Sequence, residues 1–178
     1  MNGAVIFVQD AVTSESKVLA YNNELTGNYA SGNGGVVANI DGEIVLLNNA
    51  ISGNLADGQG GAVFADNVNL GLVNNILWGN SSEIHAVGGI LTIEDNIIQG
   101  GYAGTNILDV DPQFMQMPDY TLAPHLDGDV TIASTSPAID KGNNAAIQYV
   151  KSVPYISCLL YTSPSPRDRT RSRMPSSA

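Results

Sequence analysis

Two pairs of aspartates, Asp109 with Asp111 and Asp127 with Asp129, are each two residues apart. In an extended chain that spacing turns both carboxylates of a pair to one side. Calcium is held by oxygen clusters of this kind, although it takes six to eight ligands. Asp111-Pro112 and Asp127-Gly128 are equally ordinary turn dipeptides. Calcium is therefore the one cofactor the sequence suggests, with these four aspartates as its candidate ligands. His85 and His125 have no partner at metal-binding spacing, and each is expected to be exposed. Trp78 follows Leu77 in an alternating run, so it should face outward, either stacking on a sugar or lying under a loop.

Polysaccharide chemistry asks for more. Taking a proton α to a carboxylate requires a base within roughly 2.6–3.2 Å of the reacting atom. Residues 1–157 contain no Arg, and Lys17, Lys141 and Lys151 are expected in loops or beyond the repeats. Hydrolysis would need two facing carboxylates, whereas Asp66 and Asp95 come from different repeats and different positions within them. The expectation is a chain without its own catalytic centre.

These residues hang on a repeat. Leu46-Leu47-Asn48-Asn49-Ala50-Ile51-Ser52-Gly53-Asn54 has a copy 26 residues earlier, from Ala20 to Asn28, and another 26 residues later, from Leu72 to Asn80. A worn copy, Ile93 to Gly101, follows after 21. One unit reads as three short strands, Gly34–Ala38, Glu43–Leu47 and Ala50–Ser52, parted by Asn- and Gly-rich turns. A fixed period of this length marks stacked supersecondary units. The fold class expected is all-β: a right-handed parallel β-helix of about four coils, mostly of 26 residues. The coils should occupy residues 1–101 and a capping segment residues 102–150, with residues 151–178 unstructured. Gln9–Lys17 reads as a loop inserted in the first coil.

Aligning the copies gives three uniformly aliphatic columns: Val18/Ile44/Leu70/Leu91, Ala20/Leu46/Leu72/Ile93 and Leu25/Ile51/Leu77/Ile98. Strand side chains alternate faces, so these columns must point inward. The columns between them, Leu19/Val45/Gly71/Thr92 and Tyr21/Leu47/Val73/Glu94, are mixed and should face out. Three Asn columns mark the turns: Asn22/Asn48/Asn74, Asn23/Asn49/Asn75/Asn96 and Asn28/Asn54/Asn80. All three are expected to stack as side-chain amide ladders. Gly27, Gly53 and Gly79 should supply positive φ at a corner.

Charge narrows the partners. The chain carries a net −10, and residues 1–157 set three Lys against 16 acids, a net of −13. Nucleic acid and anionic membrane surfaces both require clustered cations and are not expected partners. No apolar run approaches the ~20 residues of a membrane-spanning helix. The stretch from Cys158 to Asp168, and Ser172 to Ala178 after it, resembles a translated sequencing adapter, so residues 158–178 are set aside. The only Cys and every Arg go with them. The chain also reads as cut at its N-terminus, because Asn2 to Val5 already sits inside a repeat.

Beyond the repeats come Asp111-Pro112-Gln113-Phe114, Tyr120-Thr121-Leu122 and Ser136-Pro137-Ala138-Ile139-Asp140-Lys141-Gly142. Together with Gly60-Gly61-Ala62-Val63 and Ser52-Gly53-Asn54, these resemble bacterial right-handed parallel β-helix repeat proteins of secreted or surface-anchored type. The coils are also similar to those of polymorphic outer-membrane proteins, with Leu25-Thr26-Gly27-Asn28 where that group usually has Phe-x-x-Asn. The resemblance implies an extracellular or cell-surface scaffold, adhesin-like or in weak contact with host or matrix glycans or proteins. The alternative is a fragment of a pectate-lyase-like carbohydrate-active enzyme whose catalytic coils are missing.

Overall fold

The computed structural model describes residues 5–9 and 17–146. Contacts divide the chain into two units, Met1–Asn143 and Asn144–Ala178, and every sheet belongs to the first. Most of the expected Gln9–Lys17 loop and the adapter-like residues 158–178 lie outside the described residues. Lys17 is not in a loop. It opens the strand Lys17–Tyr21, where the register sets it beside Glu43, and its Nζ lies 3.0 Å from that carboxylate.

The protein is all-β, with stacked parallel strands in three four-stranded sheets, as a parallel β-solenoid requires. One sheet contains Ile6–Val8, Val37–Asn39, Val63–Asp66 and Ile84–Val87. A second contains Lys17–Tyr21, Glu43–Leu47, Asn69–Val73 and Leu91–Glu94. The third contains Glu24–Thr26, Ala50–Ser52, Ile76–Trp78 and Ile97–Ile98. Each apolar run is too short for a helix and is stopped by Asn or Gly, so the chain turns and satisfies its backbone groups on the neighbouring repeat. Two small sheets remain: a parallel pair that keeps the 26-residue spacing, Tyr29–Ala30 with Leu55–Ala56, and an antiparallel pair outside it, Phe114–Gln116 with Asp129–Ile132.

The register puts the aligned residues side by side. Val18, Ile44, Leu70 and Leu91 are successive partners, as are Ala20, Leu46, Leu72 and Ile93. Leu25, Ile51, Leu77 and Ile98 form the third row. Ile44, Leu46, Leu70, Leu72, Ile51, Leu77, Ile93 and Ile98 are all buried in one core. Burying each such side chain fully is worth about 1.5–3 kcal/mol. The rows thin at their ends, where a repeat has a neighbour on one side only: Val18, Ala20 and Leu25 are half-buried and Leu91 is exposed. Leu47 departs from the outward pattern. It belongs to a mixed column yet is buried outside the main core.

Adjacent Asn residues divide the work at the corner. Asn22, Asn48 and Asn74 have φ of 57°, 57° and 58°, and Asp95 and Asn106 continue the left-handed column at 55° and 53°. Asn tolerates this region better than other residues with a Cβ. The ladder expected of Asn22, Asn48 and Asn74 is therefore corrected: these residues set the left-handed corner, and the Asn74 amide spends its donor and acceptor on the Asn143 backbone. Asn22 is exposed, Asn48 half-buried, and the Asn74 amide pairs with the backbone of Asn143 at 2.9 and 2.7 Å.

The next column turns inward. Asn23 Nδ2 donates to Asn49 Oδ1 at 2.9 Å, Asn49 Nδ2 to Asn75 Oδ1 at 2.9 Å, and Asn75 Nδ2 to Asn96 Oδ1 at 3.0 Å. Each Oδ1 also accepts the backbone N–H of the preceding ladder residue. The second proton of each buried Nδ2 goes to a backbone carbonyl of the preceding repeat: Ala20, Leu46 and Leu72 for Asn49, Asn75 and Asn96. A buried amide is costly unless all of its groups are paired, and here they are.

After Ile98 the chain makes a much shorter return. Thr105 pairs beside Glu94 and Leu108 beside Ile97, so this last rung skips the first sheet. Residues 117–125 then run back along one flank of the stack, past the glycine corner in reverse order. Met117 packs at Gly79, Pro118 at Gly53, and the His125 N–H donates to Gly27 O at 3.0 Å. Gly27, Gly53 and Gly79 have φ of 63°, 68° and 73°, and a Cβ there would run into that segment.

Candidate functional site

The glycine corner and the returning segment enclose a cleft of about 570 Å³. Its inner wall is Gly79, Asn80, Ser82 and Glu83 with Gln99 and Gly100, and its outer wall is Met117 to Tyr120.

The inner wall is where the third Asn column ends. Asn28 Nδ2 donates to Asn54 Oδ1 at 2.9 Å, and Asn54 Nδ2 to Asn80 Oδ1 at 2.8 Å. All these amides donate in one direction, so the last needs an acceptor. The worn repeat supplies Gly101 where the next Asn would stand. Glu83 fills the gap from the adjacent turn: its Oε2 accepts from Asn80 Nδ2 at 2.6 Å and its Oε1 from the Asn80 backbone N–H at 3.2 Å. Burial pushes the Glu83 carboxyl up to about 7, against the lowering effect of the bonds from Asn80 and Gly79.

The outer wall is held by Asp119. Its carboxylate accepts from the Thr121 hydroxyl at 2.7 Å and the Thr121 N–H at 2.9 Å, which hold it below the usual carboxylate range. Asp119 caps the 3₁₀ turn Tyr120–Leu122. Across the cleft, the Gln99 side-chain oxygen accepts the Gly79 N–H at 2.7 Å.

The four candidate calcium ligands do not converge here or elsewhere. Asp109 accepts from Gly100 N, Asp111 from Gln113 N and Asp129 from Thr131 N, at 2.9, 2.8 and 2.9 Å. The Thr131 side chain, and then its N–H, lower the Asp129 carboxyl. Asp127 is exposed, and its N–H donates to His125 Nδ1 at 3.1 Å. Asp111 and Asp129 each hold their own turn by accepting the N–H two residues on, whereas Asp109 reaches back to Gly100. Among the described residues, no three His, Cys, Asp or Glu side chains are grouped to hold a metal. Asp66 and Asp95 bond Asn67 and Asn106 respectively.

The histidines are less open than expected. His85 is half-buried and stacks on Phe64, its partner in the register, with centroids 5.6 Å apart and planes 4° from parallel. His125 is half-buried, its Nε2 2.9 Å from Asp119 O. Trp78 alternates with the buried Leu77 and is half-buried, beside Ser52 in the register and outside the cleft. Glu83 itself was missed by sequence reasoning. The available signal was Gly101 breaking the third Asn column, which leaves Asn80 without a successor.

No family model, curated protein or solved structure matches the chain.

Proposed function

We propose that this chain is a non-catalytic repeat scaffold of the cell surface or extracellular space, adhesin-like or in weak contact with neutral glycans or proteins of a host or matrix. In this reading the parallel stack is a right-handed β-helix of about four coils, the hand favoured by parallel crossovers generally. Calcium has no role in it. The observation that carries the reading is the use made of Glu83. Among the described residues, the carboxyl pushed far from its ordinary range, Glu83, has both oxygens bonded to Asn80, completing a structural ladder. A general acid or base instead has to reach its substrate proton. Among the other described carboxylates, Asp111, Asp119 and Asp129 hold turns and Asp57 accepts from Tyr29 Oη of the neighbouring repeat, and the net charge of −10 opposes polyanionic glycans.

The test is turnover on several polyuronates, with and without calcium, followed by the absorbance of unsaturated products and by new reducing ends. No turnover is expected. Turnover abolished by replacing a carboxylate of the repeats would establish the alternative, a fragment of a carbohydrate-active enzyme. For the glycan contact, Trp78→Ala should abolish any binding of neutral oligosaccharides.

A further inference from the structure

Both walls of the cleft carry hydrogen-bonding groups that the fold does not use, and most of them are exposed. Asp119 accepts both Thr121 donors on Oδ1, and its Oδ2 has no partner among the described residues. On the inner wall, Gln99 accepts the Gly79 N–H through Oε1, which leaves its Nε2 protons to donate. The Ser82 hydroxyl accepts from Gly61 N–H at 2.9 Å and keeps its own proton. Gln99, Ser82 and Asp119 are all exposed. Apolar surface lies among them: Met117 is 55% exposed, and Tyr120, 37% exposed, offers a ring and a phenol hydroxyl.

That combination selects a class of ligand. Donors, acceptors and an aromatic plane around one cleft suit a polyol ring, whose hydroxyls both give and take hydrogen bonds and whose C–H face packs on an aromatic. The cleft volume of about 570 Å³ falls in the range of roughly 300–1,000 Å³ usual for small-molecule sites. An anionic sugar is disfavoured, since no Lys, Arg or His lines the cleft. A cation is disfavoured as well. Each Glu83 oxygen already takes a donor from Asn80, so Asp119 Oδ2 is the one carboxylate oxygen on the walls without a partner.

We propose that this cleft is a subsite for one neutral pyranose unit of a glycan, held by Asp119, Gln99 and Ser82 with its ring face on Tyr120. The subsite rests on the neutral-glycan contact proposed above and adds a second anchor to it. Trp78 immediately precedes Gly79 of the inner wall, and consecutive Cα atoms lie about 3.8 Å apart. Trp78 alternates outward from the buried Leu77, so a neighbouring unit of the same glycan can reach its ring. Two shallow contacts joined in one ligand bind more tightly than either alone, so each is needed for detectable binding.

The experiment is an NMR titration of the full chain with cellohexaose, mannohexaose and N-acetylchitohexaose, and with the deacetylated chitosan hexamer as a cationic control. At least one neutral hexamer should shift the Gly79, Gln99, Gly100 and Tyr120 amides together with the Trp78 indole N–H. Tyr120→Ala removes an exposed ring and should weaken that binding about tenfold. Tyr120→Phe keeps the ring and should stay within about threefold of the wild type. Asp119→Asn keeps an oxygen for Thr121 but turns Oδ2 into a donor, and should weaken binding about tenfold. A neutral hexamer whose binding needs Trp78, yet leaves those amides unmoved and is indifferent to Tyr120→Ala, overturns the subsite and spares the glycan reading. No binding of any neutral hexamer at millimolar concentration removes both. Tighter binding of the chitosan hexamer in the cleft also overturns the subsite, by making it a cation site.

Discussion

Asn80 Nδ2 donates to Glu83 Oε2 at 2.6 Å, so a run of neutral amides that all donate one way ends on a carboxylate. The same contact makes stability depend on pH. Glu83 has an ordinary value of 4.5 when exposed and about 7 in the fold, so between these values the folded chain holds a proton that the unfolded chain has lost. The folded state binds more protons there, and stability falls as pH rises from about 4.5 to 7. The full cost is on the order of 3 kcal/mol. Glu83→Gln keeps an acceptor for Asn80 and removes the charge. It should be more stable than the wild type at pH 8 by up to that amount, with the difference gone near pH 4.5. Denaturant unfolding across this range checks it, and a Glu83→Gln chain as pH-dependent as the wild type refutes it.

The adjacent residues Asn48 and Asn49 should behave as opposites. Asn48 supplies a left-handed corner, which Gly adopts freely, so Asn48→Gly should change stability by less than about 1 kcal/mol. Asn49 accepts from Asn23 and donates to both Asn75 and Ala20. Asn49→Ala leaves those groups unpaired, at about 1–3 kcal/mol for each buried one. Equal losses for the two variants would mean that corner and ladder are not separated as described.

That division was not legible in the sequence. The columns Val18/Ile44/Leu70/Leu91 and Leu25/Ile51/Leu77/Ile98 could be read because a constant period aligned them and β alternation chose their face. Asn48 and Asn49 recur with the same period and the same side chain, and only the backbone angle tells one from the other. The return of residues 117–125 was hidden for another reason. It packs on Gly27, Gly53 and Gly79, which show a corner in the sequence but have no side chain to advertise a partner. For Asp109 and Asp111 the spacing carried no information on partners: Asp109 accepts from Gly100 N and Asp111 from Gln113 N.

The core supplies a contrast of sign. Leu46 is fully buried, and Leu46→Asp should cost several kcal/mol by burying a carboxylate without a partner. Asn39 is also fully buried, between the core residues Val8 and Ala65 in the register, and neither of its amide atoms has a hydrogen-bond partner. Asn39→Leu, of similar size, should therefore stabilise the chain by about 1–3 kcal/mol. Thermal unfolding of the two variants is the check. A large loss for Asn39→Leu would show that the amide does make a stabilising interaction.

Gly53→Ala tests the flank. At φ 68° an alanine is strained by about 1–2 kcal/mol, and its Cβ would meet Pro118. Cleavage by a protease within residues 117–125 should be faster than in the wild type, while the strands at Ile44 and Leu70 keep their amide protection. Unchanged cleavage would place the segment elsewhere.

The most direct measurement is hydrogen exchange of the asparagine side-chain amides themselves. The Nδ2 protons of Asn49, Asn75, Asn96, Asn54 and Asn80 should exchange slowly, as groups bonded inside the stack, while those of Asn22 and Asn48 exchange at the rate of free amides. Uniformly fast exchange across all seven would contradict the ladders, and with them the stacking of the repeats on which the scaffold reading rests.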